Sequence, residues 1–526
     1  MSSPARAVRH SMAAVALSAA IAGCSSGHAP LESSPRPNDR LSEPERVAHV
    51  LSRLTFGARP GDAERVAAMG VDRWIAQQLE PEAIPDSALG VALRSIPQWT
   101  EPTANMTAVV SPPRPLENMT MAALGKDSAA KAALRAIVVR LAVQPNDLFF
   151  AGKVIRAQVS ERQLAEVLSD FWANHFSVYS AKMPSREALI VWDRDVLRPR
   201  ALGKFRDLLG AVAHSPAMLF YLDNHLSTRR GLNENYAREL LELHTLGVDG
   251  GYTQQDVIEV ARALTGWSTQ PSANLSVFRF RPEMHDTGSK VVLGHTLLSG
   301  RGIEDGEEVL DIIASHPSTA RYISFKLARR LVSDDPPPAL VDRAAVTFMR
   351  TQGDIAEVVR TIVTSKEFFS RAAFRAKVKT PFELVVSVRR ALETPADTTA
   401  VTARGIGQLG QPTFGWATPD GWPEQGAAWI NSGTIYKRIK YAGDIANGGL
   451  VFAWRDWTTL ASLPLDQQVN GVVRDVLGGV AEPATREAML GIRTPSNTAA
   501  TNVGEGQKRL RELLQIALAS PEFQRR

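Results

Sequence analysis

The fold is decided by residues 233–267, which read NENYARELLELHTLGVDGGYTQQDVIEVARALTGW. From Tyr236 to Leu243 apolar residues recur at helical spacing, and Gly247 is placed to end that helix. Thr253 and Asp256 form a variant capping box ahead of a second apolar stripe. Two helices joined by a short turn make an αα-hairpin, so this stretch predicts a fold of packed helices.

Helical patterning continues on both sides of this hairpin, over residues 41–526. The exceptions are short β-branched or alternating runs, which predict a small β-hairpin insertion near 277–294. We therefore expect a mainly α-helical fold, a large multi-helix domain with αα-hairpins. It forms either one domain or two packed lobes, of about 41–300 and 301–526.

The composition excludes several classes of protein. The chain has 526 residues, 60 Lys and Arg against 55 Asp and Glu, and 44% hydrophobic residues, as an ordinary folded protein has. A formal net charge of +5 is small for this length and gives no support for nucleic-acid binding. The single Cys rules out an intramolecular disulfide and any multi-Cys metal site.

The first 40 residues differ in character from the rest. Residues 1–23 join basic Arg6 and Arg9 to a short apolar run, which is typical of a signal peptide and too short to span a bilayer. Small residues lead to Cys24 as in a bacterial lipobox, so we expect cleavage before Cys24 and lipidation of its thiol. Residues 24–40 are rich in Ser and Pro and predict a flexible tether.

These features predict an exported protein that its N-terminal lipid holds to a membrane, while the body remains in water. Ser25 occupies the position where Asp would favour retention in the inner membrane of enteric bacteria. The outer membrane is therefore the expected location, with the body facing the periplasm or the cell surface.

Charged residues cover the outer faces of the hairpin, and two interpretations are open. Arg238, Asp256, Glu259 and Arg262 are candidates for structural ion pairs between or along the helices. The alternative is a carboxylate cluster for acid–base or metal chemistry, which would involve Glu239 and Glu242. The Glu-x-x-His signature of di-iron helices is absent.

Histidines beside acidic or amide residues are the other candidates for chemistry. His175 follows Asn174 among aromatic residues, and His285 and Asp286 form a pair between the two predicted strands. The candidate catalytic residues are His175, Glu239, Glu242, His285 and Asp286. A divalent metal would be held by His175, Asp223, Glu239 and His285 if the fold brought them together. Each histidine could equally be a buried or capping residue, and Asp-Thr-Gly after His285 is ordinary turn chemistry.

Trp416 and Trp422 lie in a segment rich in Pro and Gly. Exposed indole rings in a loop could stack on the rings of a ligand such as a sugar, whereas buried ones would only fill space against the helices. Motifs for nucleotide, haem or zinc-protease chemistry are absent from the sequence, so no cofactor is identified.

Several motifs give the chain a recognisable resemblance. They are the 233–247 string, Gly250-Gly251-Tyr252-Thr253, Ala261 to Trp267, Arg53 to Gly57, Phe171 to Phe176, Tyr221 to Asn224, His285 to Gly294, Lys326-Leu327-Ala328 and Asp420 to Pro423. In this order they resemble the bacterial family called domain of unknown function 1800, over about residues 45–526. The resemblance implies an exported, mainly helical protein, often encoded beside sulfatase-like members of domain of unknown function 1501. It implies no activity, cofactor or catalytic residue.

Two functions remain open. The first is a lipid-anchored accessory protein that binds an exported partner or polymer, with the sulfatase-like proteins as candidate partners. The second is a metal-assisted or acid–base hydrolase of an envelope or environmental polymer. The two functions make different predictions about the candidate residues. A hydrolase needs them in one pocket, whereas an accessory protein would have them in separate capping and ion-pair contacts.

Overall fold

The computed structural model describes residues 40–102, 147–182, 185–270, 277–448, 455–492 and 503–526. The predicted signal peptide, Cys24 and most of the tether lie outside these residues. A compact unit runs from Leu41 to Arg526. None of the helices described is long and apolar enough to cross a membrane.

Short helices build the first part of this unit, and they follow one another with tight caps. They are α1 (Glu43–Arg53), α2 (Asp62–Met69), α3 (Val71–Gln78), α4 (Ser87–Leu93), α5 (Pro97–Thr100), α6 (147–159), α7 (Gln163–His175), α8 (Ser185–Val191), α9 (Phe205–Ala213), α10 (Pro216–Tyr221), α11 (Asn235–Glu239) and α12 (Gln254–Ala263). A π-helical turn, Leu240–Thr245, continues α11. The predicted αα-hairpin is thus α11 with α12, and Thr253 and Asp256 close the capping box that begins α12.

Four short strands follow. They are β1 (Trp267–Gln270), β2 (Val277–Phe280), β3 (Lys290–Val292) and β4 (His295–Leu297). β1 pairs with β2 and β3 with β4, both antiparallel. Both segments predicted to be strands are therefore strands, but they do not pair with each other as one hairpin. Leu293 and Gly294 both have positive φ, so β3 turns back at once onto β4.

The rest of the chain is helical. These elements are α13 (Glu304–Ala314), α14 (Pro317–Leu331), α15 (Pro338–Arg350), α16 (Ile355–Val363), α17 (Pro381–Ala391), α18 (Val401–Gln408), α19 (Ser432–Asn447), α20 (Thr458–Ser462), α21 (Leu465–Val476), α22 (Pro483–Leu490), α23 (Val503–Ala519) and α24 (Pro521–Gln524). The predicted mainly α-helical fold is confirmed.

The buried apolar residues form two clusters, and α17 belongs to both. Phe382, Val385 and Val386 face the larger cluster, which contains residues from α1 to α18. Leu384 and Val388 face the smaller one, which contains residues from α19 to α24. The division between the clusters therefore lies at α17, because this one helix is covered on both faces.

Candidate functional site

A narrow pocket lies where α6, α7 and α14 meet the start of α17 and the long loop between α18 and α19. We call it the tryptophan pocket. It is lined by Lys153, Asp170, Ala173, Asn174, Ser177, Arg330, Thr380, Phe382, Gln411, Pro412, Thr413, Phe414, Trp416, Trp422, Pro423 and Glu424. The space open to water amounts to about 50 Å³, enough for a few water molecules or one small chemical group.

Asn174, at the end of α7, fastens the loop to the helices. Its side-chain amide donates to Trp422 O over 2.9 Å, and its carbonyl oxygen accepts from Trp422 N over 2.7 Å. Gly421 permits this approach, since a Cβ on it would lie 2.2 Å from Asn174 O and its φ is +76°. The position of Trp422 is therefore set by a two-point contact with α7.

Trp416 and Trp422 form the aromatic side of the pocket. Their ring centroids are 4.7 Å apart and the rings are tilted by 49°. Trp416 Nε1 donates to Asp420 Oδ1 over 2.8 Å, while the buried Trp429 packs behind Trp422. Both residues are half-buried, so each keeps part of its surface open to solvent at the pocket.

Arg330 forms the charged floor of the pocket and is 3% exposed. Its guanidinium lies 3.1 Å from Asp170, 3.0 Å from Glu383 and 3.4 Å from Glu424. Burial alone would raise the pKa of Glu383, but Arg526 and Arg330 outweigh it and lower the pKa to about 2. Burial would also raise the pKa of Glu424, but the positive charges of Arg330 and Lys377 outweigh this effect and lower it. Both carboxylates are therefore ionised at neutral pH.

Lys153 places a second cation in the pocket. Its Nζ lies 3.4 Å from a carboxylate oxygen of Asp170 and 3.4 Å from one of Asp193, and 5.2 Å from the centre of the Phe414 ring. The pocket thus combines ammonium, guanidinium and carboxylate groups with two indole rings. Such a set can hold a neutral polar ring by hydrogen bonds and stacking without carrying a large net charge.

His175 lies directly after Asn174 but is buried away from solvent. Its Nε2 is 3.1 Å from His244 O, and its ring packs against Phe176 with centroids 4.5 Å apart. Burial, with smaller contributions from the Lys326 and His244 charges, holds the pKa of His175 well below its usual range. The imidazole of His175 is therefore uncharged at neutral pH, and its contacts are those of a buried core residue.

Glu239 and Glu242 are half-buried on α11 and the π-helical turn that follows it. Burial, then the neighbouring charge of Glu242, raises the pKa of Glu239, and Asp420 of the loop adds to this effect. Tyr221 OH donates to Ala417 O over 3.0 Å on the same side of the loop. These carboxyl groups therefore share one electrostatic environment next to the loop that carries Trp416 and Trp422.

The remaining predicted residues are committed to local contacts. Asp223 pairs with Lys182 over 2.9 Å. His285 Nδ1 lies 2.8 Å from Thr265 O, and His285 Nε2 lies 3.3 Å from Asp305, which also pairs with Lys290. Asp286 accepts two hydrogen bonds from Arg262, and these lower its pKa against a smaller effect of burial. The contacts of His285 and Asp286 are those of a stabilised turn.

The four candidates for structural ion pairs differ in their contacts. Arg262 bridges Glu259 at 2.6 Å and Asp286 at 2.9 Å. Arg238 pairs with Glu234 on its own helix over 3.1 Å. Asp256 is engaged instead with backbone N–H groups, at Thr253 for the helix cap and at Leu293.

The four residues considered as metal ligands are not gathered into one site. Within the described ranges, no group of three or more His, Cys, Asp or Glu side chains could hold a metal ion. His175, Asp223 and His285 each have the separate contacts given above. Spacing in the sequence carries no information on whether such distant residues meet.

Sequence reasoning missed Lys153, Asp170, Arg330, Glu383 and Glu424. A signal for three of them was present, because Asp170, Arg330 and Glu424 lie within three residues of motifs that carry the family resemblance. These motifs are Phe171 to Phe176, Lys326-Leu327-Ala328 and Asp420 to Pro423. Their convergence on one pocket is what the sequence alone could not reveal.

Neither the curated proteins nor the solved structures contain a match to this chain. The sequence pattern of one family, described as "Protein of unknown function (DUF1800)", matches residues 49–525 and so covers the elements that build the tryptophan pocket. The chain belongs to this DUF1800 family.

Proposed function

We propose that this protein is a lipid-anchored, exported accessory protein that binds a polymer through its tryptophan pocket. The observation that carries the proposal is the half-buried pair of indole rings, Trp416 and Trp422, fixed at a pocket whose floor is Arg330. Rings held in place before binding lose little freedom when a ligand stacks on them.

Glu383 and Glu424, which contact Arg330 at the floor, are not suited to act as general acids. Arg330 is shared among Asp170, Glu383 and Glu424. Because the pKa of Glu383 is about 2 and that of Glu424 is lowered, neither carboxyl holds a proton to donate at neutral pH. Ionised carboxylates and a guanidinium are, however, good hydrogen-bond partners for hydroxyl groups.

The size of the pocket suggests how a polymer is held. With about 50 Å³ open to water, the recess accepts one substituent of a ring while the ring itself lies against Trp416 or Trp422. A polysaccharide combines a ring with an apolar face and hydroxyl groups around it, so we propose it as the ligand class.

Export and anchoring belong to the same proposal. The N-terminal segment that ends at Cys24 supports them through its sequence, and the tether predicted from the Ser- and Pro-rich sequence would let the body reach a polymer at some distance from the outer membrane. A sulfatase-like exported protein of the DUF1501 family is the proposed partner, for which the protein would hold the polymer.

The binding test is gel electrophoresis through native gels that contain soluble xylan, dextran, pectin or hydroxyethyl cellulose. We expect at least one polysaccharide to retard the wild-type protein. Trp416→Ala and Trp422→Ala should weaken this binding at least tenfold. The matched control is Tyr436→Ala, which removes a 68% exposed aromatic ring elsewhere and should leave retardation unchanged. Equal retardation of all four proteins would exclude the pocket as the binding site.

An acid–base hydrolase is the second candidate, and Glu239 is the observation that favours it. Its raised pKa, next to Glu242 and Asp420, is the property of a general acid. The test is release of reducing ends from any retained polysaccharide. If the protein is a hydrolase, Glu239→Gln abolishes release and leaves retardation intact; if it only binds, the wild type releases none.

A further inference from the structure

A second recess lies on the other side of α17, between α1 and the C-terminal helices. We call it the Lys379 pocket. It is lined by Ala48, Leu51, Ser52, Gly57, Ala58, Arg375, Lys379, Ser387, Val476, Leu477, Gly478, Glu522, Phe523 and Arg525. The space open to water is about 40 Å³, which suits a small ion and is too small for a nucleotide or a sugar chain.

Lys379 is the unusual residue of this recess. It is 5% exposed, and its Nζ lies 4.2 Å from the centre of the Phe523 ring. No carboxylate of the described residues comes within 4.0 Å of this amine, and it donates no hydrogen bond to them. The backbone on either side is fixed, since Lys379 N donates to Gln524 O over 3.0 Å and Lys379 O accepts from Arg438 over 2.7 Å.

An ammonium group buried without a counter-ion is costly, and proteins rarely contain one. The Phe523 ring compensates for only part of the lost hydration. Burial lowers the pKa of Lys379 to about 7; the nearby Glu383 charge opposes this change, and Arg526 and Arg375 favour it. The Lys379 ammonium therefore has no counter-ion among the described residues, although it lines a recess with space for a small anion.

Arg375 lines the same recess, and one of the hydrogen-bond donors of its guanidinium group lacks a partner among the described residues. Its Nη2 donates to Val480 O over 2.6 Å. Its Nη1 is buried with no hydrogen-bond partner among the described residues, and the nearest carboxylate oxygen, on Glu482, is 3.6 Å away. Both groups thus have donor capacity to spare at the same recess.

The one carboxylate in the lining is already occupied. Glu522 accepts from Glu482 N over 2.9 Å and from Thr485 Oγ1 over 2.9 Å. With Lys379, Arg375 and Arg525 on the other side, the lining carries three cationic groups against one anionic group. The electrostatic potential of the recess therefore favours an anion.

We propose that the Lys379 pocket binds a small oxyanion of the phosphate, sulfate or carboxylate type, held by the Lys379 ammonium and the Arg375 guanidinium. The ion would lie in a recess that residues of α1, α17 and α24 also line. The two pockets share no lining residue, and this proposal does not depend on the proposed function.

The experiment is thermal unfolding of the protein that starts after Cys24, at pH 7.0, with increasing inorganic phosphate against sodium chloride of equal ionic strength. We expect a saturable increase of the Tm with phosphate and none with chloride. Methyl phosphate distinguishes the source: an equal effect points to the terminal group of a larger molecule, and a weaker one to the free ion.

Two variants make the test specific. Lys379→Met keeps the volume and removes the charge, so it should fold with a higher Tm in phosphate-free buffer and lose the phosphate effect. Lys366→Met removes an exposed lysine and should respond like the wild type. Should Lys379→Met fail to fold, Arg375→Gln should weaken the phosphate response at least tenfold. The proposal is overturned if the wild type shows no saturable response, or if Lys379→Met or Arg375→Gln retains it in full.

Discussion

At the scale of single residues, Glu383 is the carboxylate on which the floor of the tryptophan pocket depends. It is 3% exposed and lies 3.0 Å from both Arg330 and Arg526. Glu383→Gln removes the charge and leaves two buried guanidinium groups short of a counter-ion. We expect the free energy of unfolding to fall by about 3 kcal/mol, measured by urea denaturation at pH 7.

The pH dependence of the same residue gives an independent check. The pKa of Glu383 is about 2 in the folded protein and about 4.3 in the unfolded chain, so its contribution is complete above pH 4.3 and is lost as the pH falls toward 2. The difference between wild type and Glu383→Gln should shrink over that range. The control is Glu43→Gln, which alters an exposed carboxylate. Its difference in unfolding free energy from the wild type should change little over the same pH range.

The pKa of Lys379 is also lowered, but here the cause is that burial disfavours the charged form. Its pKa is about 7 in the folded protein and about 10.4 in the unfolded chain, so between these values the unfolded chain binds more protons and stability rises with pH. We expect the advantage of Lys379→Met over the wild type to decrease by about 2 kcal/mol between pH 7 and pH 9 without phosphate. A constant difference between urea denaturation curves across this range would contradict a buried, unpaired ammonium.

The sequence predicted the contacts of the candidate residues only in part. The turn chemistry of Asp286 was visible in the sequence as an alternative, since Asp-Thr-Gly is a local pattern. The floor of the tryptophan pocket was not, because Arg330 meets Asp170, Glu383 and Glu424 from four separate parts of the chain. Periodicity reports the neighbours of a residue along one helix and carries no record of such meetings.

At the scale of elements, the loop between α18 and α19 depends on the contact of Gly421 with α7. Gly421→Ala would place a Cβ 2.2 Å from Asn174 O, so the loop must move and the two hydrogen bonds to Trp422 must lengthen. We expect faster proteolysis within residues 409–431 and a red shift of tryptophan fluorescence.

The same loop offers a matched control for this prediction. Gly410 also has a positive φ, of +109°, but nothing lies within 4 Å of a Cβ added there. Gly410→Ala therefore reproduces the backbone strain without the collision. Identical proteolysis of the two variants would show that strain, and not the contact with Asn174, accounts for the effect.

Helices were predicted more accurately than strand pairing, for a physical reason. The capping box of α12 is formed by residues three apart, and the sequence contains all of it. Pairing of β2 with β1 and of β3 with β4 depends on where turns close, and the turn at Leu293 and Gly294 has a non-glycine residue at positive φ. Pattern alone therefore located both strands but joined them wrongly.

At the scale of the whole molecule, α17 is the element that unites the fold. It contributes to both apolar clusters, its Glu383 supports the tryptophan pocket, and its Ser387 lines the Lys379 pocket. The sequence left open one domain or two lobes of about 41–300 and 301–526. It did not reveal that the apolar core divides at α17, since a helix buried on both faces reads as an ordinary apolar segment.

The proposed anchoring of the whole molecule to a membrane leads to the last prediction. Cys24 is the only cysteine of the chain, so labelled fatty acid that is esterified to a diacylglyceryl group in thioether linkage can report on no other side chain. We expect the wild type to fractionate with the outer membrane and to enter the detergent phase of Triton X-114. Cys24→Ser should lose both the label and the membrane association, because the proposed anchor is the lipid on that cysteine. Ser25→Asp, in an enteric host, should keep the label and shift the protein to the inner membrane. A Cys24→Ser protein that still sediments with membranes would mean that another part of the chain holds it there.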